Sequence, residues 1–327
     1  MIYLKDSYGR KIDYLRVSIT DRCNLRCRYC MPLEGIVYKA HKAIIRYEEI
    51  IRIVRAGVEL GIRKIRITGG EPLVRRGVVD FVRQLNRVKG IVDISMTTNG
   101  TLLPKFGRAL RDAGLKRINI SLDSLKRERY VEITRREQFD EAIEGIKTAL
   151  EVGFNPVKIN VVIMKGINDD EVLDFVRLTR EFPLHIRFIE FMPLGKLGLL
   201  QSGEYMPLNE IKARIEEKEE ILPATLRGNG PAEYYKIPYA QGTIGFITPI
   251  SHNFCANCNR MRLTADGKLR PCLASDLEVD MHDSNGEIRN MEDIKEKFKK
   301  AIRIKPIGHD FVRKDYLSKR SMFQIGG

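Results

Sequence analysis

The sequence has no apolar run long enough to cross a bilayer, and its first residues, Met1 to Asp6, lack the apolar core of a secretory signal. We therefore expect a cytoplasmic protein without a membrane partner. Internal repeats and low-complexity segments are also missing. With 43% hydrophobic and 31% charged residues in a chain of 327, a disordered protein is excluded, and one large domain with an appendage or two smaller domains can form.

Histidine is scarce, with 5 residues, and His41 is the only one near the first cysteines. The 6 cysteines form two triplets, Cys23-x-x-x-Cys27-x-x-Cys30 and Cys255-x-x-Cys258 with Cys272. Thiols stay reduced in the cytoplasm, so metal or redox chemistry explains these triplets better than disulfides do. A [4Fe–4S] cluster normally takes four thiolates, so each triplet predicts a cluster with one iron open to a ligand that is not protein.

Zinc is the alternative metal for both triplets. A structural zinc site needs four nitrogen or sulfur ligands, and the first triplet has only His41 nearby. For the second triplet, His252, His282 or His309 could supply the fourth ligand, although only His252 lies at a short-loop spacing. A zinc site in the C-terminal part therefore stays open at this point.

A net charge of +14 is compatible with nucleic-acid binding, because Lys and Arg neutralise phosphates. Basic and acidic residues are interleaved along predicted helices, however, as in KARIEEK at residues 212–218. This pattern is typical of a solvated helix face with salt bridges. We therefore expect no nucleic-acid partner.

Short β-rich segments alternate with amphipathic segments through about residue 200, which is the pattern of parallel βα units. The predicted strands are Tyr14–Thr20, Lys64–Thr68, Asp93–Thr98, Arg117–Ser121, Pro156–Ile163 and His185–Phe191. The predicted helices are Tyr47–Leu60, Val78–Lys89, Leu103–Ala113, Phe139–Val152 and Glu171–Arg180. Six such units predict an α/β fold with a partial (βα)6 TIM-like barrel.

Polar and apolar residues alternate along these strands. The polar positions are Arg16, Ser18, Thr20, Arg66, Thr68, Ser95, Thr97, Asn99, Asn119, Ser121, Asp123, Lys158 and Asn160. Because side chains alternate across a strand, the apolar positions can meet the helices while the polar positions line the barrel interior. An antiparallel sheet with one solvated face would alternate in the same way, but the intervening helices favour a barrel with a polar, cationic cavity.

The pattern changes after Phe191, and we place a domain boundary near residue 200. Residues 1–200 form the predicted barrel, and residues 201–327 form a smaller C-terminal region that carries the second triplet. The elements predicted there are helices Leu208–Lys218 and Met291–Ile302, strands Gly242–Ile247, Met261–Thr264 and Lys268–Arg270, and a loop with Pro223, Gly228, Gly230 and Pro231.

Arg260 and Arg262 follow the second triplet at a spacing of two, so in a strand both guanidinium groups point to the same side, near the cluster. Arginine suits the recognition of phosphates and of planar polar groups. Two unrelated surface arginines would have the same spacing.

The first triplet has Tyr29 before its last cysteine and is followed by Thr68-Gly69-Gly70-Glu71-Pro72 at the end of the second predicted strand. In this combination the sequence resembles the radical S-adenosylmethionine (SAM) superfamily. The resemblance implies that the open iron of the first cluster binds SAM and that an electron from the cluster cleaves SAM to a 5′-deoxyadenosyl radical. Gly69 and Gly70 would let the backbone approach SAM closely, since neither has a Cβ.

Within that superfamily, the chain resembles the enzymes that cyclise GTP in the first step of molybdenum cofactor biosynthesis. The segments that carry this resemblance are residues 15–24, 66–72, 97–100, 121–123 and 190–193, the second triplet, and Gly326-Gly327. The implied reaction removes hydrogen from C3′ of GTP and joins C3′ to C8. Its product is (8S)-3′,8-cyclo-7,8-dihydroguanosine 5′-triphosphate, and the enzyme is a lyase.

The resemblance also implies the site residues. Two [4Fe–4S] clusters would be held by Cys23, Cys27, Cys30, Cys255, Cys258 and Cys272. Contacts to SAM would come from Tyr29, Gly70, Ser121 and Met192. Contacts to GTP would come from Arg16, Arg66, Thr97, Lys158, Arg260 and Arg262. Guanine would bind the open iron of the second cluster, and catalytic roles would belong to Arg260, Arg262 and the tail residues Gly326 and Gly327.

Two other functions stay open. One is a radical SAM enzyme that modifies a peptide and uses its second cluster for electron transfer, although such enzymes generally carry more auxiliary cysteines. The other is a zinc-stabilised nucleic-acid-binding protein. For the GTP-cyclising function, the expected partners are GTP and a reduced electron donor of the flavodoxin or ferredoxin type, and a homodimer is compatible with the sequence.

Overall fold

The computed structural model describes residues 4–32, 36, 38–192, 202–226, 230–309 and 320–326. Its core is a sheet of 12 strands in the order β12-β11-β10-β1-β2-β3-β4-β5-β6-β9-β8-β7. The first six strands are β1 (Tyr14–Ser18), β2 (Lys64–Thr68), β3 (Asp93–Thr98), β4 (Arg117–Ser121), β5 (Val157–Ile163) and β6 (Leu184–Glu190). The others are β7 (Leu222–Ala224), β8 (Glu233–Lys236), β9 (Thr243–Ile247), β10 (Arg260–Leu263), β11 (Lys268–Arg270) and β12 (Val279–Asp280).

Strands β1 to β6 are all parallel, which confirms the predicted α/β barrel and excludes the antiparallel alternative. Two strands from the C-terminal part extend the parallel sheet at both sides, because β9 pairs with β6 and β10 pairs with β1. The short strands β11 and β12 continue beyond β10 in antiparallel orientation, and so do β8 and β7 beyond β9. The second triplet therefore lies next to β10 and β11, at one edge of the barrel sheet.

Eight α-helices are assigned in the described residues. They are α1 (Tyr47–Glu59), α2 (Val78–Asn86), α3 (Leu103–Asp112), α4 (Arg127–Thr134), α5 (Phe139–Glu151), α6 (Val172–Glu181), α7 (Leu208–Glu216) and α8 (Met291–Arg303). Each predicted helix is present and ends within three residues of its predicted end. At the start of helix α1 the amide of Arg46 donates to Oε2 of Glu49 at 2.7 Å, and the apolar stripe of the helix, including Ile50, Ile53 and Val54, is buried. No helix in the described part of the chain is long and apolar enough to span a membrane.

The alternation along the strands divides the sheet as predicted. The apolar positions Val17, Ile67, Ile118 and Ile159 are fully buried on the side that carries the hydrophobic core. The interior face carries the polar positions, and several of those are buried as well, including Arg66 and Asn119. A buried guanidinium group is costly unless it finds anionic or hydrogen-bonding partners, so this face is built for a polar ligand.

Four elements were missed by the sequence patterns, and one of them is the short strand β8 (Glu233–Lys236). Helix α4 buries only Tyr130, Ile133 and Thr134, so its apolar stripe is too narrow to stand out. The segment predicted as a loop around Pro223 contains strand β7, which proline permits because β7 is an edge strand. Strand β12 has only two residues. The predicted boundary near residue 200 lies outside the described residues and stays a prediction.

A candidate active site lined by both cysteine triplets

One cavity of about 310 Å³ on the interior face is lined by all six cysteines. A volume of this size is typical of small-molecule sites. The predicted site residues that also line it are Arg16, Tyr29, Arg66, Gly70, Thr97, Ser121, Met192, Arg260, Arg262 and Gly326. Barrel and C-terminal region therefore contribute to a single chamber.

The first triplet follows β1 and is held by backbone and side-chain donors. The amide of Leu25 donates to Sγ of Cys23 at 3.4 Å, and the amide of Phe323, from the C-terminal tail, donates to Sγ of Cys30. Burial raises the pKa of the Cys23 and Cys30 thiols to about 12. Burial also raises the pKa of Cys27, and the nearby charges of Asp123 and of the other two thiols raise it further. Three thiols that line one cavity, with N–H donors to sulfur, fit a cluster that deprotonates its ligands on binding.

An amide network supports the start of this loop. Asn24 donates to Thr101 Oγ1 at 2.9 Å and to Gln138 Oε1 at 2.7 Å, and Asn99 Nδ2 donates to Asn24 Oδ1 at 2.9 Å. Asn99 also points Nδ2 toward Sγ of Cys23, at 4.0 Å. The loop is therefore fixed to the end of β3 next to its first cysteine.

The glycine pair after β2 packs directly on the cysteine loop. The amide of Gly70 donates to the carbonyl of Thr20 at 2.8 Å, and a Cβ at Gly70 would lie 2.5 Å from the carbonyl oxygen of Arg22. Any side chain would push the two segments apart, so the contact needs glycine. The next residue, Glu71, is 1% exposed and accepts hydrogen bonds from Thr98 Oγ1 and the amide of Asn99, which fastens β2 to β3.

Tyr29 joins the cysteine loop to the far side of the chamber. Its hydroxyl donates to Oδ2 of Asp123 at 2.7 Å, and Oδ1 of Asp123 accepts the amide of Val162 at 2.8 Å. Burial raises the pKa of Asp123 to about 6, against the lowering effect of the Tyr29 hydrogen bond. Asp123 lines the cavity and was predicted as part of the polar face, but its contact with Tyr29 could not be read from the sequence.

Three arginines stand in register across three neighbouring strands. Arg262 of β10 pairs with Arg16 of β1, and Arg16 pairs with Arg66 of β2. Like charges directly opposite each other in a sheet repel. Burial lowers the pKa of Arg16 well below its ordinary value, and the charges of Arg262 and Arg66 lower it further. This row of cations is built to receive a polyanion.

Two further cations differ in their placement. Arg187 of β6 lines the cavity, and its Nη2 atom donates to Asn119 Oδ1 at 2.8 Å. Arg187 lies two residues after His185 on the predicted strand His185–Phe191. The alternation of polar and apolar residues, continued along β6, would have identified Arg187 as an interior residue.

Lys158 is 4% exposed, donates to Tyr234 Oη at 3.0 Å, and is not among the described residues that line the cavity. Burial lowers the pKa of Lys158 to about 6, helped by Arg187, Arg117 and Arg66.

The second triplet lies around the β10–β11 hairpin, with Cys258 before β10 and Cys272 after β11. Lys305 Nζ lies 3.6 Å and Arg260 Nη2 lies 3.9 Å from Sγ of Cys258. Burial raises the pKa of Cys258, but Arg260 and Lys305 outweigh it and bring the pKa to about 7. Cys255 Sγ accepts the amide of His309. Thiolates beside two cations fit an iron–sulfur cluster.

Zinc is the alternative metal for the second triplet, and the three histidines named for it lie in different surroundings. Within the described ranges, no group of three or more His, Cys, Asp and Glu side chains is arranged to hold one metal ion. His252 is exposed, and His282 is engaged with Asp280 through Nδ1. His309 is the one of the three that lines the cavity with the cysteines. A zinc ion needs ligands that converge on one point, whereas a cluster distributes its ligands over several irons.

The C-terminal tail enters the same chamber. The carbonyl of Gly326 accepts hydrogen bonds from Arg16 Nη2 at 3.0 Å and from Arg262 Nη1 at 3.4 Å. Gly326 has φ of +76°, and a Cβ there would lie 2.4 Å from Thr68 Oγ1. Only glycine fits this position without displacing a neighbour. Gly327 lies outside the described residues.

Comparison with known proteins gives two family matches. Residues 17–179 match the radical SAM superfamily, and residues 184–311 match the family described as Molybdenum Cofactor Synthesis C. A GTP 3′,8-cyclase of Petrotoga mobilis is 60% identical over 98% of this chain and 99% of its own length. A GTP 3′,8-cyclase of Thermodesulfovibrio yellowstonii is 51% identical over 99% of this chain and 100% of its own length.

Solved structures with the same fold are more distant in sequence. Streptococcus suis SuiB bound to SAM is 19% identical with a TM-score of 0.57, over 87% of this chain and 65% of SuiB. The enzyme anSMEcpe with bound SAM is 16% identical with a TM-score of 0.55, over 88% of this chain and 78% of its own chain. At these identities the likeness concerns the fold alone.

Proposed function

The chain belongs to the GTP 3′,8-cyclases of the radical SAM superfamily, and we propose that its two triplets divide the work of this reaction between a radical-generating end and a substrate-holding end of one chamber. The enzyme converts GTP to (8S)-3′,8-cyclo-7,8-dihydroguanosine 5′-triphosphate in the first step of molybdenum cofactor biosynthesis. Its cofactors are SAM and two [4Fe–4S] clusters. When bound, they supply the reducing electron and the radical that removes hydrogen from C3′ before that carbon attacks C8.

The arginine row is the observation that carries the substrate assignment. Arg16 lies opposite Arg66 on one neighbouring strand and opposite Arg262 on the other. Arg16 and Arg262 also donate hydrogen bonds to the carbonyl of Gly326. A triphosphate would compensate their mutual repulsion with charge-assisted hydrogen bonds. Held at one end by these cations, GTP would present its ribose and base in a fixed orientation, which favours an internal attack. Thr97 and Lys158 belong to the same proposed GTP site, with Lys158 reaching it by releasing Tyr234.

The SAM end of the chamber is proposed at the first triplet. Cys23, Cys27 and Cys30 would hold the first cluster, and the contacts to SAM would come from Tyr29, Gly70, Ser121 and Met192. Gly70 lines the cavity beside these cysteines, and this position supports its contact with SAM. The Tyr29–Asp123 hydrogen bond would hold the cysteine loop in place while SAM binds.

The guanine end is proposed at the second triplet. Cys255, Cys258 and Cys272 would hold the second cluster, whose open iron would take guanine. Arg260 would orient the base and stabilise charge that develops on it, and Arg262 would bind GTP from its place in the arginine row. Gly326 and Gly327 would complete the wall next to the reacting ribose, with Gly326 held by two arginines that also serve GTP.

The test is a reciprocal pair of variants, Cys272→Ala and Cys23→Ala, reconstituted anaerobically with iron and sulfide. Wild-type enzyme should hold about eight irons and each variant about four. Cys272→Ala should still cleave SAM but give no cyclised GTP, whereas Cys23→Ala should not cleave SAM. Full turnover by Cys272→Ala, or stoichiometric zinc without iron, would overturn the assignment.

Four further features complete the proposal. We propose a reduced flavodoxin or ferredoxin as electron donor, action in the cytoplasm, no nucleic-acid partner, and a domain boundary near residue 200. A homodimer is compatible with these proposals. Sedimentation of the reconstituted enzyme, and reduction of its clusters by each donor, would test the oligomeric state and the donor.

A further inference from the structure

Arg320 lies at the start of the described tail segment and makes contacts to two carboxylates. Its Nη1 and Nη2 atoms lie 3.0 and 3.1 Å from the two oxygens of Asp266. Nη2 and Nε lie 2.8 and 2.6 Å from the two oxygens of Glu278. The side chains are 15%, 10% and 21% exposed, so solvent screens these ion pairs only weakly. All four contacts use the planar fork of a guanidinium group, which a lysine cannot reproduce.

Each of the two carboxylates is connected through further contacts to the loop of one cysteine triplet. Asp266 also binds Nζ of Lys39 at 3.0 Å, and the amide of Lys39 donates to Asp21 at 2.8 Å, two residues before Cys23. Glu278 also pairs with Arg270, which is 1% exposed and lies two residues before Cys272. Arg320 is therefore the point at which the tail is tied to both metal-binding loops.

The tail beyond Arg320 is ordered by its own contacts. Ser321 and Gln324 form a capping box, and Phe323 and Ile325 are buried at 3% and 1% exposure. The segment ends with the Gly326 carbonyl on Arg16 and Arg262. Five residues lie between Arg320 and Gly326, so a shift of the anchor is transmitted to the position of Gly326.

We infer that Arg320 is a positioning residue that sets the placement of the C-terminal tail in the active site and couples it to the loops of both clusters. Arg320 lies outside the catalytic contacts and acts through Gly326. The inference rests on the proposed role of the tail in catalysis. A guanidinium group shared by two weakly exposed carboxylates holds the tail by charge-assisted, bidentate bonds, and their loss would free the segment to leave the chamber.

The test is hydrogen exchange of the C-terminal peptide in reconstituted enzyme without GTP. Arg320→Gln should speed exchange of the amides of Gln324 and Ile325 at least tenfold, and Arg320→Lys should give an intermediate rate. Arg83→Gln, which breaks an exposed ion pair with Asp80 on α2, is the matched control and should leave tail exchange unchanged. If Arg320→Gln speeds exchange throughout the chain, Asp266→Asn takes its place with the same expectation.

Turnover separates this inference from the proposed role of the tail. A tail that is misplaced but still folded should lower the yield of cyclised GTP per 5′-deoxyadenosine at least threefold, whereas a general loss of structure lowers both products together. Faster tail exchange with an unchanged product ratio would support the anchor and contradict the catalytic role of Gly326. Tail exchange that stays at the wild-type rate in both Arg320→Gln and Asp266→Asn would overturn the inference.

Discussion

The guanidinium group of Arg16 donates a hydrogen bond of 3.0 Å to the carbonyl oxygen of Gly326, although 310 positions separate the two residues in the chain. Arg16 stands between Arg262 and Arg66 in the sheet. A substrate that binds Arg16 therefore either shares its guanidinium group with Gly326 or displaces the tail. The relationship places Gly326 in the cavity that we propose as the active site.

Gly326→Ala should displace the tail. Its Cβ would lie 2.4 Å from Thr68 Oγ1, on a backbone with φ of +76° that disfavours any side chain. We expect cluster content to stay normal and the rate of GTP cyclisation to fall about 100-fold, the effect of a misplacement of roughly 1 Å. Gly286→Ala is the control, because Gly286 has φ of +75° and nothing within 4 Å of a Cβ. Equal activity in the two variants would contradict the role of Gly326.

Lys305→Met should make the second cluster harder to reduce. Lys305 Nζ lies 3.6 Å from Cys258 Sγ and donates to the carbonyls of Arg260 and Pro271 at 2.9 and 2.5 Å. Removing a cation and an N–H donor from a cluster sulfur favours the oxidised state. We expect the reduction potential to become more negative by about 60 mV, a tenfold change for one electron.

A redox titration followed by electron paramagnetic resonance measures this shift. Lys297→Met is the matched control, since Lys297 also donates to a backbone carbonyl, that of His282 at 2.8 Å. A potential that does not differ from that of the control would mean that Lys305 has no influence on the cluster.

Tyr29→Phe should weaken SAM binding about tenfold. The substitution removes the donor at 2.7 Å from the buried Asp123 carboxylate, and an unsatisfied buried acceptor costs about 1–3 kcal/mol. Equilibrium dialysis of SAM with the reconstituted enzyme measures the change. Tyr130→Phe is the control, because its buried hydroxyl has no hydrogen-bond partner in the described part of the chain. Unchanged affinity in Tyr29→Phe would argue against support of the SAM site by this pair.

Lys158→Met should flatten the pH dependence of stability. The pKa of Lys158 is lowered from 10.5 to about 6 in the folded protein, chiefly by burial. Between these two pH values the unfolded state binds more protons, so wild-type stability rises with pH by up to about 1.4 kcal/mol per unit. Below pH 6 both states are protonated and the dependence disappears.

Thermal unfolding of wild type and variant between pH 6.5 and pH 9 checks this prediction. Lys212→Met is the control, since Lys212 forms a similar bond of 3.1 Å to Tyr235 on the surface. Lys158→Met should also lose GTP affinity if Lys158 turns from Tyr234 to the substrate. A slope that matches wild type would show that Lys158 stays protonated in the fold.

Much of the site could be predicted from local sequence. Strand alternation and helix periodicity are properties of a few consecutive residues, so β1 to β6 and the interior positions of Arg16, Arg66 and Asn160 were correctly assigned. Arg187 could have been found by the same alternation in β6. The spacing of the first cysteines and the Gly69-Gly70 pair identified the radical SAM superfamily, because both reflect the requirements of binding a cluster and SAM.

The sequence by itself determined the polar strand faces and the family, and it predicts the donor sets of the two clusters. Only the tertiary structure decided that β10 pairs with β1, which sets Arg262 opposite Arg16, that Gly326 lies in the cavity lined by both triplets, and that Arg320 contacts Asp266 and Glu278. The sequence also could not separate Lys158, which turns to Tyr234, from the cations that line the cavity. The physical reason is that register and contact between distant segments depend on how the whole core packs, and no local pattern records that choice.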